Sequence, residues 1–309
     1  MSVTVIYVGG MGRSGSTLVE RALARVPGFV ATGEVVHLWS RGLRDGERCG
    51  CGEPLRDCAF WSEVGDRAWG GWDRLDLEEV LALQREVDRN RFVPLMLAPW
   101  ASPPSWRRSF DRYRQVLARL YQAIAASARA DVIVDASKHV STAVLLGRVE
   151  GVDRRIVHLV RDPRGVAHSW GREVDRPDAL NGVQTMARLG PARVTARWVA
   201  YDLLLDAVRG RRSILVRYES FVEDPAAEVG RMVALAGHPG AQAEGLMGHS
   251  LTLGIDHTAS GNPLRFRSGA LEIAADDGWR GSMPSMDRRL VTAVAAPVML
   301  RYGYARRAR

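Results

Sequence analysis

Short apolar segments alternate with amphipathic segments along most of the chain. Residues 3–8 are apolar and rich in β-branched side chains, and Gly9 and Gly10 follow them, which predicts a buried strand ending in a tight loop. From residue 16 to residue 26, apolar side chains recur every four positions, which predicts a helix that Pro27 ends. This part of the chain is therefore predicted to form a strand–loop–helix unit.

The same alternation recurs downstream. Further buried strands are predicted at residues 131–135, 155–160 and 213–216. Helical patterns separate or follow them at residues 110–130, 142–150, 165–171, 195–209 and 287–300. Because short buried strands alternating with helices form mainly parallel sheets covered on both faces, we expect a three-layer α/β/α fold.

Two regions break this alternation. Residues 41–109 hold all three cysteines, most of the tryptophans and a proline-rich stretch. We interpret them as an insertion or lid within a single domain that comprises residues 1–309. Residues 245–284 form a second irregular region, rich in Gly, Ser, Arg and His.

The composition is that of a folded globular protein, with 46% hydrophobic and 25% charged residues in 309. No window approaches the roughly 20 apolar residues that a membrane span needs, so we expect no stable membrane insertion. The first eight residues lack the basic region and cleavage site of a signal peptide. The expected location is the cytoplasm.

The chain is strongly basic, with a net charge of +8. An anionic partner would suit this charge, and a nucleic-acid-binding protein is one alternative. Its arginines are scattered rather than gathered in one stripe, and no standard binding motif appears, so we expect no nucleic-acid partner. Lys138 is the only lysine among 43 basic residues, which makes its position informative.

The three cysteines, Cys49, Cys51 and Cys58, fall within ten residues. An odd number is a poor disulfide framework. A zinc site would need a fourth ligand, for which His37 is a candidate. The favoured interpretation is a reduced structural loop, and the expected metal requirement is none.

The segment VIYVGGMGRSGSTLVE carries the strongest chemical signal. A strand leads into a glycine-rich turn that opens a helix, where free backbone N–H groups and the helix dipole favour an anion. Arg13 adds a guanidinium, and hydroxyl groups come from Ser14, Ser16 and Thr17. By itself the segment could also be an ordinary strand-to-helix turn.

Comparison with the P-loop of ATPases limits the kinds of anion that the turn is expected to bind. Gly10, Gly15 and Thr17 fit that P-loop pattern, but Ser16 stands where the pattern has the lysine that contacts the β- and γ-phosphates. The turn is therefore P-loop-like and disfavours a nucleoside triphosphate with magnesium. An ATP- or GTP-dependent kinase remains an alternative. It is disfavoured because no strand ends persuasively in a magnesium-binding aspartate: Asp135 is possible, but the Lys138 motif follows it.

A second anion site is predicted in RIVHLVRDPRGVAHSW. Arg161 follows a predicted strand, and Ser169 lies about two helical turns further on. In open α/β sheets ligands bind at this edge, beyond the carboxyl ends of the strands. By itself the segment could also be a strand-to-helix corner with a surface ion pair.

The two anion sites together resemble the sulfotransferase family that uses 3′-phosphoadenosine-5′-phosphosulfate (PAPS). The form RSGST is similar to tyrosylprotein and bacterial sulfotransferases. The resemblance implies that the first loop holds the 5′-phosphosulfate through Arg13, Ser14, Gly15, Ser16 and Thr17. It also implies that Arg161 and Ser169 hold the 3′-phosphate.

Further family positions occur in the same order. The resemblance implies that Glu34 in ATGEVVHLW is the catalytic base and that Lys138 in DASKHV stabilises the transferring sulfuryl group. It places Tyr218 in VRYESFVEDP beside the nucleotide. Residues 245–284 resemble the loop that covers the nucleotide, with Arg265, Arg267, Ser268 and Gly269 as candidate contacts. The cysteine- and tryptophan-rich insertion has no counterpart.

Sulfuryl transfer is an in-line displacement in which the protein positions the reactants and stabilises spread negative charge. We expect Arg13 and Lys138 to clamp the sulfate, and Glu34 to accept the acceptor's proton with a pKa that burial raises toward 7. His37, three positions further, is the alternative base. The chemistry requires no metal.

The acceptor is predicted to be a hydroxyl, less readily an amine, of a small molecule, glycoside or lipid. Candidate contacts are His37, Trp39, Trp100 and Trp106. The tryptophans of the insertion could equally form its own small core. An inactive nucleotide-binding relative is disfavoured because Glu34 and Lys138 are both present.

Overall fold

The computed structural model describes residues 2–177 and 184–304. Its strands in chain order are β1 Val3–Gly9, β2 Phe29–Gly33, β3 Val132–Lys138, β4 Val152–Val160, β5 Asp175–Arg176, β6 Gln184–Thr185, β7 Ser213–Arg217, β8 Leu246–Met247, β9 Ser250–Leu253 and β10 Gly269–Glu272. Five of them form a parallel central sheet in the order β2–β3–β1–β4–β7. The strands β5 and β6 pair antiparallel, and so do β8, β9 and β10.

Helices connect the strands and cover both faces of the sheet. They are α1 Ser16–Leu23, α2 Ala59–Trp69, α3 Leu77–Val87, α4 Val93–Leu97, α5 Pro104–Ala128, α6 Val140–Leu146, α7 Pro163–Gly171, α8 Pro191–Val208, α9 Tyr218–Glu223, α10 Pro225–Leu235, α11 Trp279–Ser282 and α12 Ser285–Arg301. Short 3-10 turns occur at Val35–His37, Trp72–Arg74, Asn90–Phe92, Pro99–Ala101 and Pro263–Phe266, and a π-helix spans Leu38–Arg44.

The central strand β1 shows why the sheet is buried on both faces. Val5 and Tyr7 pack into the core that α5 and α6 share, whereas Ile6 and Val8 pack into the core on the side of α1 and α10. All four side chains are fully buried, as expected for a strand whose residues alternate between two covered faces. The predicted three-layer α/β/α fold with a parallel sheet is confirmed.

The sequence prediction missed one strand of this sheet. The edge strand β2 has only five residues, FVATG, and its apolar character ends at Ala31. It pairs with β3, so that Glu34 follows the carboxyl end of a strand rather than a helix. The predicted strands and helices elsewhere match observed elements, with boundaries that differ by a few residues.

The insertion, residues 41–109, folds into α2, α3, α4 and the first turns of α5. Its apolar side chains join the core on the α5 face of the sheet, including Trp61, Val64, Trp72, Leu81 and Met96. Among the described residues, no helix has both the length and the apolar character needed to cross a membrane.

The second irregular region is fastened to α1 by Arg21. This fully buried side chain donates from Nε to Asp256 at 2.8 Å and from Nη1 to the carbonyls of Leu264 and Arg267, each at 2.7 Å. Such charge-assisted hydrogen bonds are stronger than neutral ones. The region therefore has a defined position over the carboxyl ends of the strands.

Candidate active site

A cavity of about 760 Å³ opens at the carboxyl ends of β1, β3 and β4. This is the edge at which open α/β sheets bind ligands, and the volume suits a small organic molecule. Its walls contain most of the residues that the sequence nominated, namely Arg13, Gly15, Ser16, Thr17, Glu34, His37, Lys138, Arg161, Ser169 and Tyr218. Ser14 is buried beside them and does not line the cavity.

The loop between β1 and α1 requires glycine at two points. Gly10 has φ of 134°, and a Cβ there would lie 2.2 Å from the Leu159 carbonyl oxygen. Gly15 has φ of 91°, and its Cβ would lie 2.6 Å from the Tyr218 ring. The left-handed conformation and the close neighbours both exclude a larger side chain.

The same loop is suited to an anion. The N-terminus of α1 faces the cavity through Ser16 and Thr17, where unpaired backbone N–H groups and the helix dipole are expected. The buried hydroxyl of Ser14 has no hydrogen-bond partner among the described residues. Arg13 lines the cavity and lies 5.7 Å from the centre of the Trp170 ring.

Glu34 and Lys138 form an ion pair in the cavity wall, which we call the lysine pair. Lys138 Nζ donates to Glu34 Oε1 at 2.5 Å and to the Ala136 carbonyl at 3.1 Å. Lys138 has φ of 69°, an unusual conformation for a residue with a side chain, and Arg13 shares it with φ of 72°. Strained backbone of this kind is concentrated at functional sites.

Buried hydrogen bonds fix the backbone on both sides of the lysine pair. Asp135 accepts from the Tyr121 hydroxyl at 2.5 Å and from the Ser137 backbone N–H at 2.8 Å. Ser137 Oγ in turn accepts from the Val36 N–H at 3.0 Å. Burial raises the pKa of Asp135 to about 6 against these hydrogen bonds. Asp135 is therefore engaged in positioning the two strand ends.

The carboxyl group of Glu34 is ionised in this arrangement. Burial acts to raise its pKa, but the charge of Lys138 and the neighbouring His37 outweigh burial and lower the pKa to about 2. The expectation of a pKa raised toward 7 is therefore wrong for this pairing. Burial lowers the pKa of His37 to about 4, so that its imidazole, 3.5 Å from Glu34, is neutral at pH 7.

Arg161 forms a second ion pair in the wall, which we call the arginine pair. Its Nη2 donates to Asp276 Oδ2 at 3.0 Å and to the Asp276 carbonyl at 2.8 Å, and its Nη1 donates to the Arg13 carbonyl at 3.2 Å. The guanidinium lies 4.5 Å from the centre of the Tyr218 ring. Arg161 thus links β4 to two other segments. They are the loop between β1 and α1, which we call the phosphate loop, and residues 245–284, which we call the late region.

The structure does not bring the nominated tryptophans to the cavity. Trp39 is fully buried in the core and donates to the Tyr113 hydroxyl at 3.1 Å. Trp106 is buried against Phe110, with ring centres 5.0 Å apart, and Trp100 is exposed on a 3-10 turn. From residues 41–109 only Arg41 lines the cavity, so this segment contributes core rather than a lid over it.

The late region reaches the cavity through residues other than those nominated. Arg265 is buried and donates to the backbone carbonyls of Thr258 and Arg48, at 2.7 and 2.6 Å. Its neighbours Arg267, Ser268 and Gly269 are exposed and do not line the cavity. Among the described residues between 245 and 284, those that line the cavity are Asn262, Leu264 and Asp276. The Asp276 backbone N–H donates to the Tyr218 hydroxyl at 3.3 Å.

Sequence reasoning also missed several wall residues, which are Arg41, Trp170, Met186, Arg197 and Tyr201. They lie on four different segments, and no local motif marks them. Arg21 was missed as well, although an arginine on the apolar face of a predicted helix is an unusual position that could have signalled a buried partner.

Comparison with known proteins identifies the family of the chain. A model of the sulfotransferase family matches residues 6–242, and the chain belongs to that family. None of the curated proteins compared with the chain matches it by sequence.

The chain is also similar to solved structures. The sulfotransferase domain from the curacin biosynthetic pathway is 16% identical, with a TM-score of 0.50 over 96% of this chain and 97% of that one. The sulfotransferase domain of the olefin synthase from Synechococcus PCC 7002 is 21% identical, with a TM-score of 0.49 over 95% of each chain.

Proposed function

We propose that the protein transfers the sulfuryl group of PAPS to an acceptor hydroxyl. The lysine pair carries this proposal. A largely covered carboxylate and the chain's only lysine meet at 2.5 Å in the wall of one cavity. The phosphate loop beside them lacks the ATPase lysine. A general base and a mobile cation are the two groups that sulfuryl transfer between oxygens needs in addition to anion binding.

The residues around the cavity fit the two anionic ends of the donor. The phosphate loop offers the N-terminus of α1, the Arg13 guanidinium and the unpartnered Ser14 hydroxyl for the phosphosulfate. Arg161 and Ser169 offer donors for the 3′-phosphate. Tyr218, packed between Gly15 and Arg161, would support the nucleotide from the side of the loop.

When bound, PAPS would supply an activated sulfuryl group, and PAP would leave through its 5′-phosphate oxygen. Lys138 would then turn from Glu34 toward the transferring oxygens, since the donor's negative charge competes for the same ammonium. Burial of Glu34 would no longer be offset by Lys138, and its pKa would rise. The lysine pair thus keeps Glu34 ionised before donor binding and makes it a stronger base afterwards.

Glu34 is the proposed base, and His37 is retained as the alternative. The neutral imidazole of His37 can also accept a proton, and its Nε2 lies 3.5 Å from Glu34 Oε2. Its ring also contacts that of His139, with centres 6.0 Å apart. Because His37 and Glu34 are neighbours, a proton taken by either group would stay close to the other.

We propose that the acceptor is a small molecule, a glycoside or a lipid with a free hydroxyl. Its place would be beside Glu34 and His37, which line the wall together with His139 and Arg41. Trp39, Trp100 and Trp106 are not part of this acceptor site. The proposed location in the cytoplasm stays a prediction from the sequence.

Calorimetric titration tests the donor without knowledge of the acceptor. We expect 3′-phosphoadenosine-5′-phosphate (PAP) to bind with one site per chain, and adenosine 5′-monophosphate to bind at least tenfold more weakly. ATP with magnesium is the control for a kinase. Binding of ATP with magnesium but not of PAP would overturn the proposal.

Transfer itself is tested with radiolabelled PAPS and a panel of hydroxylated lipids, glycosides and phenols. Label in an acceptor identifies the acceptor class. Tight PAP binding without transfer to any hydroxyl or amine, and without slow PAPS hydrolysis, would favour a nucleotide-binding relative that is inactive.

A further inference from the structure

Three cysteines of the insertion and one histidine of the late region meet at a single point. The Sγ atoms of Cys49, Cys51 and Cys58 and a ring nitrogen of His257 all lie within 4.8 Å of one another. His257 lies about 200 positions after the cysteines in the sequence, so the fold and not a local turn brings the histidine to them. His37, the fourth ligand considered from the sequence, lies beside Glu34 instead.

We propose that Cys49, Cys51, Cys58 and His257 bind a structural zinc ion. With Zn–S bonds of about 2.3 Å and a Zn–N bond of about 2.0 Å, a tetrahedral site places nitrogen and sulfur roughly 3.6 Å apart. His257 Nδ1 lies 3.2 Å from Cys58 Sγ and 3.9 Å from Cys49 Sγ, on either side of that separation. Small shifts would bring all four atoms into a tetrahedron.

The backbone around the cysteines forms a tight turn that contains two glycines. The residues between and after the first two cysteines are Gly50 and Gly52, and Gly52 has φ of 98°. A Cβ on Gly50 would lie 2.4 Å from the Asp256 carbonyl oxygen, so only glycine allows the turn to approach the histidine segment. The turn is closed by hydrogen bonds from Cys49 N–H to Glu53 and from Gly52 N–H to Cys49, at 2.8 and 2.9 Å.

The cluster is largely shielded from solvent, since Cys49 and Cys58 are buried and Cys51 is half-buried. The His257 ring is held in place by stacking on Phe60, with ring centres 5.3 Å apart.

The donor set favours zinc over other occupants. Three thiolates and one imidazole in a tetrahedron are typical of zinc, and four protein ligands leave no open position for catalysis. A disulfide would use two cysteines and leave the third with the histidine, and all three are free thiols in the structure. A closed site of this kind contributes to folding rather than to the reaction.

The proposed zinc would fasten together the two irregular regions behind Glu34. Gly50 N–H donates to the Thr258 carbonyl at 3.0 Å, next to His257. Two residues further, Ser260 accepts from the Glu34 N–H at 3.0 Å, and Ala259 N–H donates to Thr32 at 2.8 Å. The metal would thus stabilise the segment that accepts the Glu34 backbone hydrogen bond.

Metal analysis of the full chain tests this site independently of the sulfotransferase activity. We expect one zinc per chain after purification under reducing conditions with zinc in the growth medium. Cobalt exchanged into the site should give the absorption bands of tetrahedral Co²⁺ with sulfur ligands. His257→Ala and Cys58→Ser should lose the metal, whereas the matched control His249→Ala, at an exposed histidine, should retain it.

The variant His257→Cys tests the site even if the alanine and serine variants fail to fold. It keeps four ligands, so we expect one metal per chain and a shift of the cobalt bands caused by the fourth sulfur. The proposal is overturned if the reduced wild-type chain holds and takes up no zinc or cobalt, or if His257→Ala retains a full equivalent with an unchanged cobalt spectrum. A disulfide among the three cysteines in freshly purified protein would also overturn it.

Discussion

The lysine pair and the arginine pair place a cation against a carboxylate in the same cavity, but in different surroundings. Glu34 of the lysine pair is 18% exposed, and His37 covers its second oxygen. Asp276 of the arginine pair is 42% exposed and belongs to the late region. Both cations are nearly buried, at 13% exposure for Lys138 and 6% for Arg161.

The difference separates a chemical role from a binding role. The pKa of a covered carboxylate depends strongly on its charged partner, so removal of the Lys138 charge raises the pKa of Glu34. A half-exposed carboxylate is screened by water and salt, so an incoming phosphate can displace Asp276 from Arg161 at small cost. We therefore expect the lysine pair to control turnover and the arginine pair to control donor affinity.

The change Glu34→Gln should have the largest effect. It keeps the size of the side chain and removes the base, and loss of a general base costs roughly 10²- to 10⁴-fold in rate. We expect kcat to fall by that factor, with PAP affinity within about threefold of wild type. Steady-state kinetics with radiolabelled PAPS and calorimetry with PAP measure the two quantities.

The matched control for this change is Glu63→Gln, at an exposed glutamate that pairs with Arg67 on α2. It should leave kcat unchanged. If Glu34→Gln kept wild-type turnover while His37→Ala lost it, the base would be His37 and not Glu34.

The change Lys138→Met should reduce kcat by roughly 10²- to 10³-fold, the usual effect of removing one group that stabilises transition-state charge. It should also move the acid limb of the pH profile of kcat/KM for PAPS. Without Lys138 the buried Glu34 has a raised pKa, and since the base must be ionised, activity is lost at higher pH than in wild type.

A pH series of kcat/KM for wild type and Lys138→Met measures this shift. An acid limb at the same pH in both proteins would mean that Lys138 does not control the base. Lys138→Arg is the charge-preserving comparison, and it should restore the wild-type limb with only part of the rate, because a guanidinium is larger and less able to follow a moving oxygen.

The residues at strand ends could be predicted from the sequence because each follows a short buried run. The phosphate loop follows β1, Lys138 is the last residue of β3 and Arg161 follows β4. Parallel strands bring their carboxyl ends to one edge of the sheet. Glu34, which the resemblance named, lines the cavity. Its strand was missed, since β2 is short and ends in polar residues.

The late region and the insertion could not be predicted in the same way. Their positions depend on long-range contacts with no local pattern, such as Arg21 with the carbonyls of the late region. For the same reason Arg265 was nominated for the nucleotide and lies buried among backbone carbonyls. His257 could not be paired with the cysteines, because about 200 residues separate them.

The change Arg161→Met should weaken PAP binding by roughly 10- to 150-fold, the cost of one hydrogen bond between charged groups (about 1.5–3 kcal/mol). Binding of adenosine 5′-monophosphate, which lacks the 3′-phosphate, should change much less. The control Arg67→Met, at an exposed arginine, should change neither. Equal losses for both nucleotides would mean that Arg161 supports the loop, through its bond to the Arg13 carbonyl, rather than the 3′-phosphate.

The change Asp276→Asn should have the smallest effect, and it should be a gain. It removes the negative charge that occupies Arg161 and that repels a phosphate, but an ion pair with a partner 42% exposed contributes only about 0.2–1 kcal/mol. We therefore expect PAP to bind roughly two- to fivefold more tightly, with the gain shrinking as salt is raised. Calorimetry at two salt concentrations measures it. A loss of affinity instead would show that Asp276 positions Arg161 for the nucleotide, and the two ion pairs would then differ in strength rather than in role.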